Sequence, residues 1–80
     1  MKTHLLKIWP EHFANLTRGR KGFEVRKDDR DYLVGDILEL HEFDPSTEQY
    51  TGDKTTRRVT YVHAGIGMES GYVVLELGSA

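Results

Sequence analysis

The pattern that most restricts this chain is its succession of short β-type runs around a single helical one. Residues 57–63, RRVTYVH, and 72–77, YVVLEL, are rich in β-branched and aromatic side chains, which suit a pleated, half-buried strand. Residues 2–8, 22–27 and 36–43 add three more β-compatible segments. In the first, Leu6 and Ile8 share a side, with His4 in the same alternating register. In 36–43, Leu38 and Leu40 face one way and Ile37 and Phe43 the other, which predicts a strand covered on both sides. The lone helix is predicted over about residues 10–18. Pro10 opens its first turn, Glu11 follows, Phe13 and Leu16 are three apart, Arg18 ends it and Gly19 stands just beyond. Trp9 and Phe13 are expected to clamp its entry against the core. A doubly wound parallel sheet would need crossover helices that this pattern lacks. The expected fold is therefore mainly β: a small curled sheet or mixed barrel of about five strands with one short helix closing an end.

A chain of 80 residues has little core to divide, so residues 1–80 are expected to form one domain. Cysteine is absent, which removes disulfides, thiolate metal sites and thiol nucleophiles and fits a cytoplasmic setting. No run matches the apolar core of a signal peptide or the roughly 18 residues that span a bilayer; a soluble protein without a membrane partner is expected. The 11 basic and 13 acidic residues give a net charge of -2. That balance weighs against nonspecific DNA binding driven by counterion release. It leaves room for a local basic cleft, because electrostatic focusing depends on where charges lie.

The connections carry weaker signals. DDRDYLVGD reads as a turn or irregular link, and DPSTEQYTGDKT, from Asp44 to Thr55, reads as an exposed loop. AGIGMESG is a glycine-punctuated connection in which Met68 would serve as a lid or a minor packing contact. GDKTTRR lacks the full phosphate-loop pattern. His4, His12, His41 and His63 show no zinc-ligand spacing; no metal and no organic cofactor are assigned. Lys54, Arg57 and Arg58 form a second basic cluster, but the two arginines alternate along a strand and should point to opposite faces. Tyr32, Tyr50, Tyr61 and Tyr72 offer stacking surfaces for a base, at least two of them with structural roles instead.

The richest segment is RGRKGFEVRKDDRD, residues 18–31, with six basic and four acidic side chains around two large hydrophobes. Its strand portion alternates, so Phe23 and Val25 are expected to face the core, with Glu24 and Arg26 on the opposite side. Lys21 reaches that polar side if the glycine-rich turn bends back. Two readings stay open. One is a surface ion-pair ladder. The other is a site for a planar polar ligand, where arginine supplies a fixed fork, lysine a mobile cation for phosphate, and glutamate an acceptor for an exocyclic amine.

The run LTRGRKGFEVRKDDRDYLVGDILELHEFD resembles the activating signal cointegrator homology (ASCH) family of the PUA-like superfamily. The matching positions are Gly19, Lys21, Glu24 and Arg26, then Val34, Gly35 and Asp36. With KTHLLKIWPEHFANL before it and GYVVLEL after it, nearly the whole chain resembles a narrower group of small bacterial or phage-associated domains of unknown function. The resemblance implies a PUA-like β-barrel with a helix near a cleft bordered by Lys21, Glu24 and Arg26. Gly19, Tyr32, Arg58 and Tyr61 are supporting candidates. It implies RNA binding, and the modest size and charge favour a short single-stranded RNA, a nucleotide or a modified base.

Some similar ASCH proteins are amidohydrolases of acylated cytidine that place a threonine three residues after a lysine. Here Lys21 matches the lysine, but Glu24 replaces the threonine and its hydroxyl. The alternative catalytic pair is thus Lys21 and Glu24, with Glu24 activating water and Lys21 or Arg26 stabilising an oxyanion. A further alternative is a module that binds a protein partner. Oligomeric state is not specified by the sequence.

Overall fold

The computed structural model describes residues 1–65, 67 and 69–80. The element order is β1 (Thr3–Ile8), α1 (Pro10–Thr17), β2 (Phe23–Lys27), β3 (Ile37–Asp44), β4 (Gln49–Ala64) and β5 (Tyr72–Ser79). The strands form one five-stranded mixed sheet in the order β1-β3-β4-β5-β2, curled into a half-barrel. β1 and β3 are parallel; the other neighbours are antiparallel. The expected mainly-β class, strand number and helix position hold. The expected Met68 lid lies outside the described residues.

The core is filled from alternate positions of four strands. His4, Leu6 and Ile8 of β1 are buried, as their spacing predicted, together with Leu38 and Leu40 of β3, Val59 of β4, and Val73 and Leu75 of β5. Leu16 closes one end from α1, with Phe13 packed against the cluster and Tyr32 buried in it. Trp9 does not join this core. It caps α1 in an extended conformation and is 58% exposed. Ile37 and Phe43 are half-buried, so the outer side of β3 is only partly covered.

The largest correction concerns β2. Phe23 and Val25, expected in the core, are 45% and 48% exposed, whereas Glu24 is buried at 4%. Cross-strand partners share a face, and the register pairs Glu24 with Leu75 and Arg26 with Val73. Both partners are core residues of β5. The polar side of β2 therefore faces inward, while Phe23 lies opposite the exposed Glu76. Alternation identifies two faces of a strand but does not say which one the sheet turns inward.

The second correction is the span from Asp44 to Thr55, a hairpin rather than an open loop. The turn takes only residues 45–48, after which β4 runs for 16 residues. Asp44 organises the turn by accepting from the Ser46 amide at 2.9 Å and the Ser46 hydroxyl at 2.7 Å. These bonds hold the Asp44 carboxyl below the usual carboxylate value. Tyr50, Thr51, Thr55 and Thr56 then supply β-propensity that the polar composition of the segment masks.

The VGD turn locks β1 to the start of β3. Gly35 adopts a φ of 97°, a region closed to most side chains. Asp36 is buried and accepts from the Lys2 amide at 3.0 Å, the Leu33 amide at 3.0 Å and His4 Nε2 at 2.9 Å. Burial works against its ionisation, but these bonds and the neighbouring imidazole outweigh it and lower its pKa from 3.8 to about 2.

Candidate functional site

The site begins at the C-terminus of α1. Gly19, at φ 72°, donates to the Leu16 carbonyl at 3.2 Å, and Arg20 donates to the Asn15 carbonyl at 2.9 Å. This bonding pattern is a Schellman cap. The Lys21 amide adds a bond to the same Asn15 carbonyl at 3.1 Å. The chain thus reverses at Gly19, and Lys21 is carried back beneath the helix.

There Lys21, Glu24 and Arg26 meet. Lys21 Nζ donates to Glu24 Oε1 at 2.8 Å, and Arg26 Nη2 lies 3.2 Å from Glu24 Oε2. Lys21 Nζ is also 3.1 Å from His12 Nδ1; since an ammonium only donates, that ring nitrogen accepts. Arg26 Nη2 additionally donates to the Lys7 carbonyl at 2.6 Å, while its buried Nε has no hydrogen-bond partner among the described residues. The three residues that the sequence grouped are brought into one network, on the inner rather than the outer side of β2. Both oxygens of Glu24 are engaged by cations. Its geometry suits a group that positions Lys21 and Arg26.

Arg26 also helps to close the half-barrel. β1 and β2 are the edge strands of the sheet, and Arg26 and Arg30 cross between them to the Lys7 and Leu5 carbonyls, the latter at 3.2 Å. The seam is joined by guanidinium groups where a closed barrel would have a backbone ladder.

Between α1 and this seam lies a cleft of about 590 Å³. Its lining includes Lys7, Lys21, Arg26 and Lys27 against the carboxylates of Glu11 and Glu24, with Trp9, His12 and Phe23 beside them. A chain of net charge -2 thus presents a local cationic excess. Lys21 Nζ stands 5.2 Å from the Phe23 ring centroid, within cation-π range. Trp9, His12 and Lys7 were not grouped with the site from sequence, because only the tertiary approach of β1 and α1 to β2 assembles them. The local signal was Trp9 next to Pro10, an aromatic residue outside the first helical turn.

The supporting candidates are placed elsewhere. Gly19 makes the reversal described above without lining the cleft. Tyr32 is buried, its ring centroid 4.8 Å from that of His4. Burial raises its pKa, offset in part by Arg26 and Arg30. Arg58 donates to the Gly35 carbonyl at 3.0 Å and supports the VGD turn. Arg57 instead reaches the Leu16 carbonyl at 3.3 Å, so these two arginines serve separate regions. Tyr61 is exposed on β4, edge-on to His63, which contacts Glu76. Among the described residues no cluster of three or more potential ligands could hold a metal ion. Among them, no helix is long and apolar enough to cross a membrane.

These features define a class of small mainly-β domain: an open mixed half-barrel whose inward edge strand carries an ionic network beside a cationic cleft. Residues 3–77 match the family model described as a domain of unknown function, DUF3850, and the chain belongs to that family. It is also 39% identical over 61 residues to the uncharacterized 12.9 kDa protein in GpA 3'region of Escherichia phage P2. The match covers 76% of this chain and 54% of the phage protein, so the chain spans about half the length of that curated relative.

Proposed function

We propose that the cleft between α1 and β2 binds a short single-stranded RNA segment or a nucleotide, and that this half-barrel is related to the ASCH and PUA-like domains. The observation that carries this reading is the pairing of Lys21 and Arg26 on the buried Glu24 carboxylate in a cleft also lined by Lys7, Lys27 and an exposed tryptophan. Lys21 and Arg26 meet phosphate or a polar base edge. Glu24 holds both cations in place, and Trp9 offers a face on which a base stacks. Because Glu24 is committed to its two partners, recognition is favoured over hydrolysis of an acylated nucleoside. A cytoplasmic setting belongs to the same proposal.

Trp9 is the chain's one tryptophan, so its emission reports on the cleft directly. Short RNA should quench it with a salt-dependent affinity. Lys21→Ala and Arg26→Ala should each weaken binding by about 1.5–3 kcal/mol, the range for a charge-assisted hydrogen bond, while circular dichroism stays unchanged. Arg26→Lys keeps a cation near the seam while removing the planar fork. Absence of any response to a broad panel of RNAs, DNAs and nucleotides would overturn the proposal. Turnover of an acylated nucleoside that Glu24→Gln abolishes would replace it with the hydrolase.

A further inference from the structure

The Trp9 cleft shares the seam with other hollows. On the other side of the Arg26–Lys7 bridge lies a second, of about 530 Å³, lined in part by Leu5, Lys7, Arg26, Arg30, His41 and Tyr50. Lys7 and Arg26 line both, so the bridge forms a wall shared by the two. None of the described residues lining the second hollow is acidic. Tyr50 is 55% exposed there, held edge-on by Phe43 at 5.1 Å between ring centroids. The Lys7 ammonium sits 4.4 Å from the Phe43 ring centroid and 5.8 Å from that of Tyr50, and it makes no ion pair among the described residues.

We infer that the seam carries a two-base footprint: one base in the Trp9 cleft, the next against Tyr50, and the linking phosphodiester over Lys7 and Arg26. This inference rests on the nucleotide-binding reading and adds to it the ligand's minimum length and path. The chemistry is complementary at each station. A ring beside each hollow offers a stacking face that any base can use. Between them, a cation without a carboxylate partner and a guanidinium already fixed by Glu24 face the site of the phosphate. Lys7 leaves a weak contact with two aromatic rings to meet a full negative charge, whereas Arg26 needs no reorganisation.

The test compares ribonucleoside monophosphates with the full set of dinucleoside monophosphates, titrated against the whole chain with Trp9 emission as readout. At least one dinucleotide should bind ten-fold or more tightly than either of its component mononucleotides. Tyr50→Ala should remove most of that gain and Tyr50→Phe should keep it. Neither should change quenching by mononucleotides, which also verifies that the fold persists. A variant-free measurement is the amide NMR spectrum, in which dinucleotides should shift His41 and Tyr50 beyond the response to mononucleotides. Quenching without any dinucleotide gain, or a gain that survives Tyr50→Ala, overturns the two-base footprint and leaves the Trp9 cleft standing. No response to either class of probe overturns both.

Discussion

Replacing Glu24 by glutamine separates a built site from a surface ion-pair ladder. The carboxylate is buried and bonds two cations, Lys21 at 2.8 Å and Arg26 at 3.2 Å. Glutamine keeps the shape but offers only one acceptor oxygen, and its amide hydrogens face the second cation. Removing one partner from a fully buried pair costs about 3–5 kcal/mol. Here the Lys21 and Arg26 side chains retain 14% and 21% of their exposure, so water relieves part of that loss, and about 2–3 kcal/mol is the expected cost. A chain of this length has a total stability of about 4–12 kcal/mol, so the variant should fold with its midpoint lowered by about 10–20 °C. Urea unfolding followed by far-ultraviolet circular dichroism measures the difference. A double-mutant cycle with Lys21→Met should return a coupling of about 1 kcal/mol or more. A Glu24→Gln cost below about 0.5 kcal/mol with no coupling is what an exposed ladder gives, and it would refute the reasoning.

Two further outcomes follow from the fold. Asp36, held at about 2 against an ordinary 3.8, contributes stability that is fully present above about pH 4 and fades as pH falls through 2, because protonation is harder in the folded state. Allowing for solvent screening, about 1–2 kcal/mol is at stake; Asp36→Asn should flatten this acid limb in unfolding measured from pH 5 to 2, and an unchanged limb would exclude Asp36 as its source. Val25→Thr should change unfolding free energy by less than about 1 kcal/mol, because its side chain faces outward, whereas Leu75→Ala should cost about 2–5 kcal/mol. The reverse order would restore Val25 to the core.

The sequence was most informative where a local pattern and its tertiary setting agree. Alternation placed His4, Leu6 and Ile8 on one face of β1, and the register with β3 sets His4 and Leu6 beside Leu38 and Leu40 on the core side of the sheet. Proline, the early acid and the trailing glycine located α1. For β2, apolar character pointed Phe23 and Val25 inward, but pairing with Leu75 and Val73 turned the charged face in instead. That preference lies in the partner strand, outside any window around residue 24. The hairpin at 45–48 was hidden by polar side chains whose backbone bonding defines the turn. Likewise, spacing alone grouped Lys21, Glu24 and Arg26, whereas Lys7, Trp9 and His12 join them from elements whose approach no short pattern encodes.

The inverted face of β2 also makes the site a guard on strand registry. Among the described residues β2 is an edge strand paired with β5 alone, so a slide by one residue breaks a single ladder and exchanges its two faces. Phe23 and Val25 would then turn inward, and Glu24 and Arg26 would be released to water. Hydrophobic transfer rewards that alternative by about 1–3 kcal/mol, since both apolar side chains are already half covered. Opposing it are the ionic contacts among Lys21, Glu24 and Arg26 and the guanidinium bridge to β1. A ligand that engages Lys21 and Arg26 where they stand binds only the native alignment, so occupancy and strand registry are one linked equilibrium.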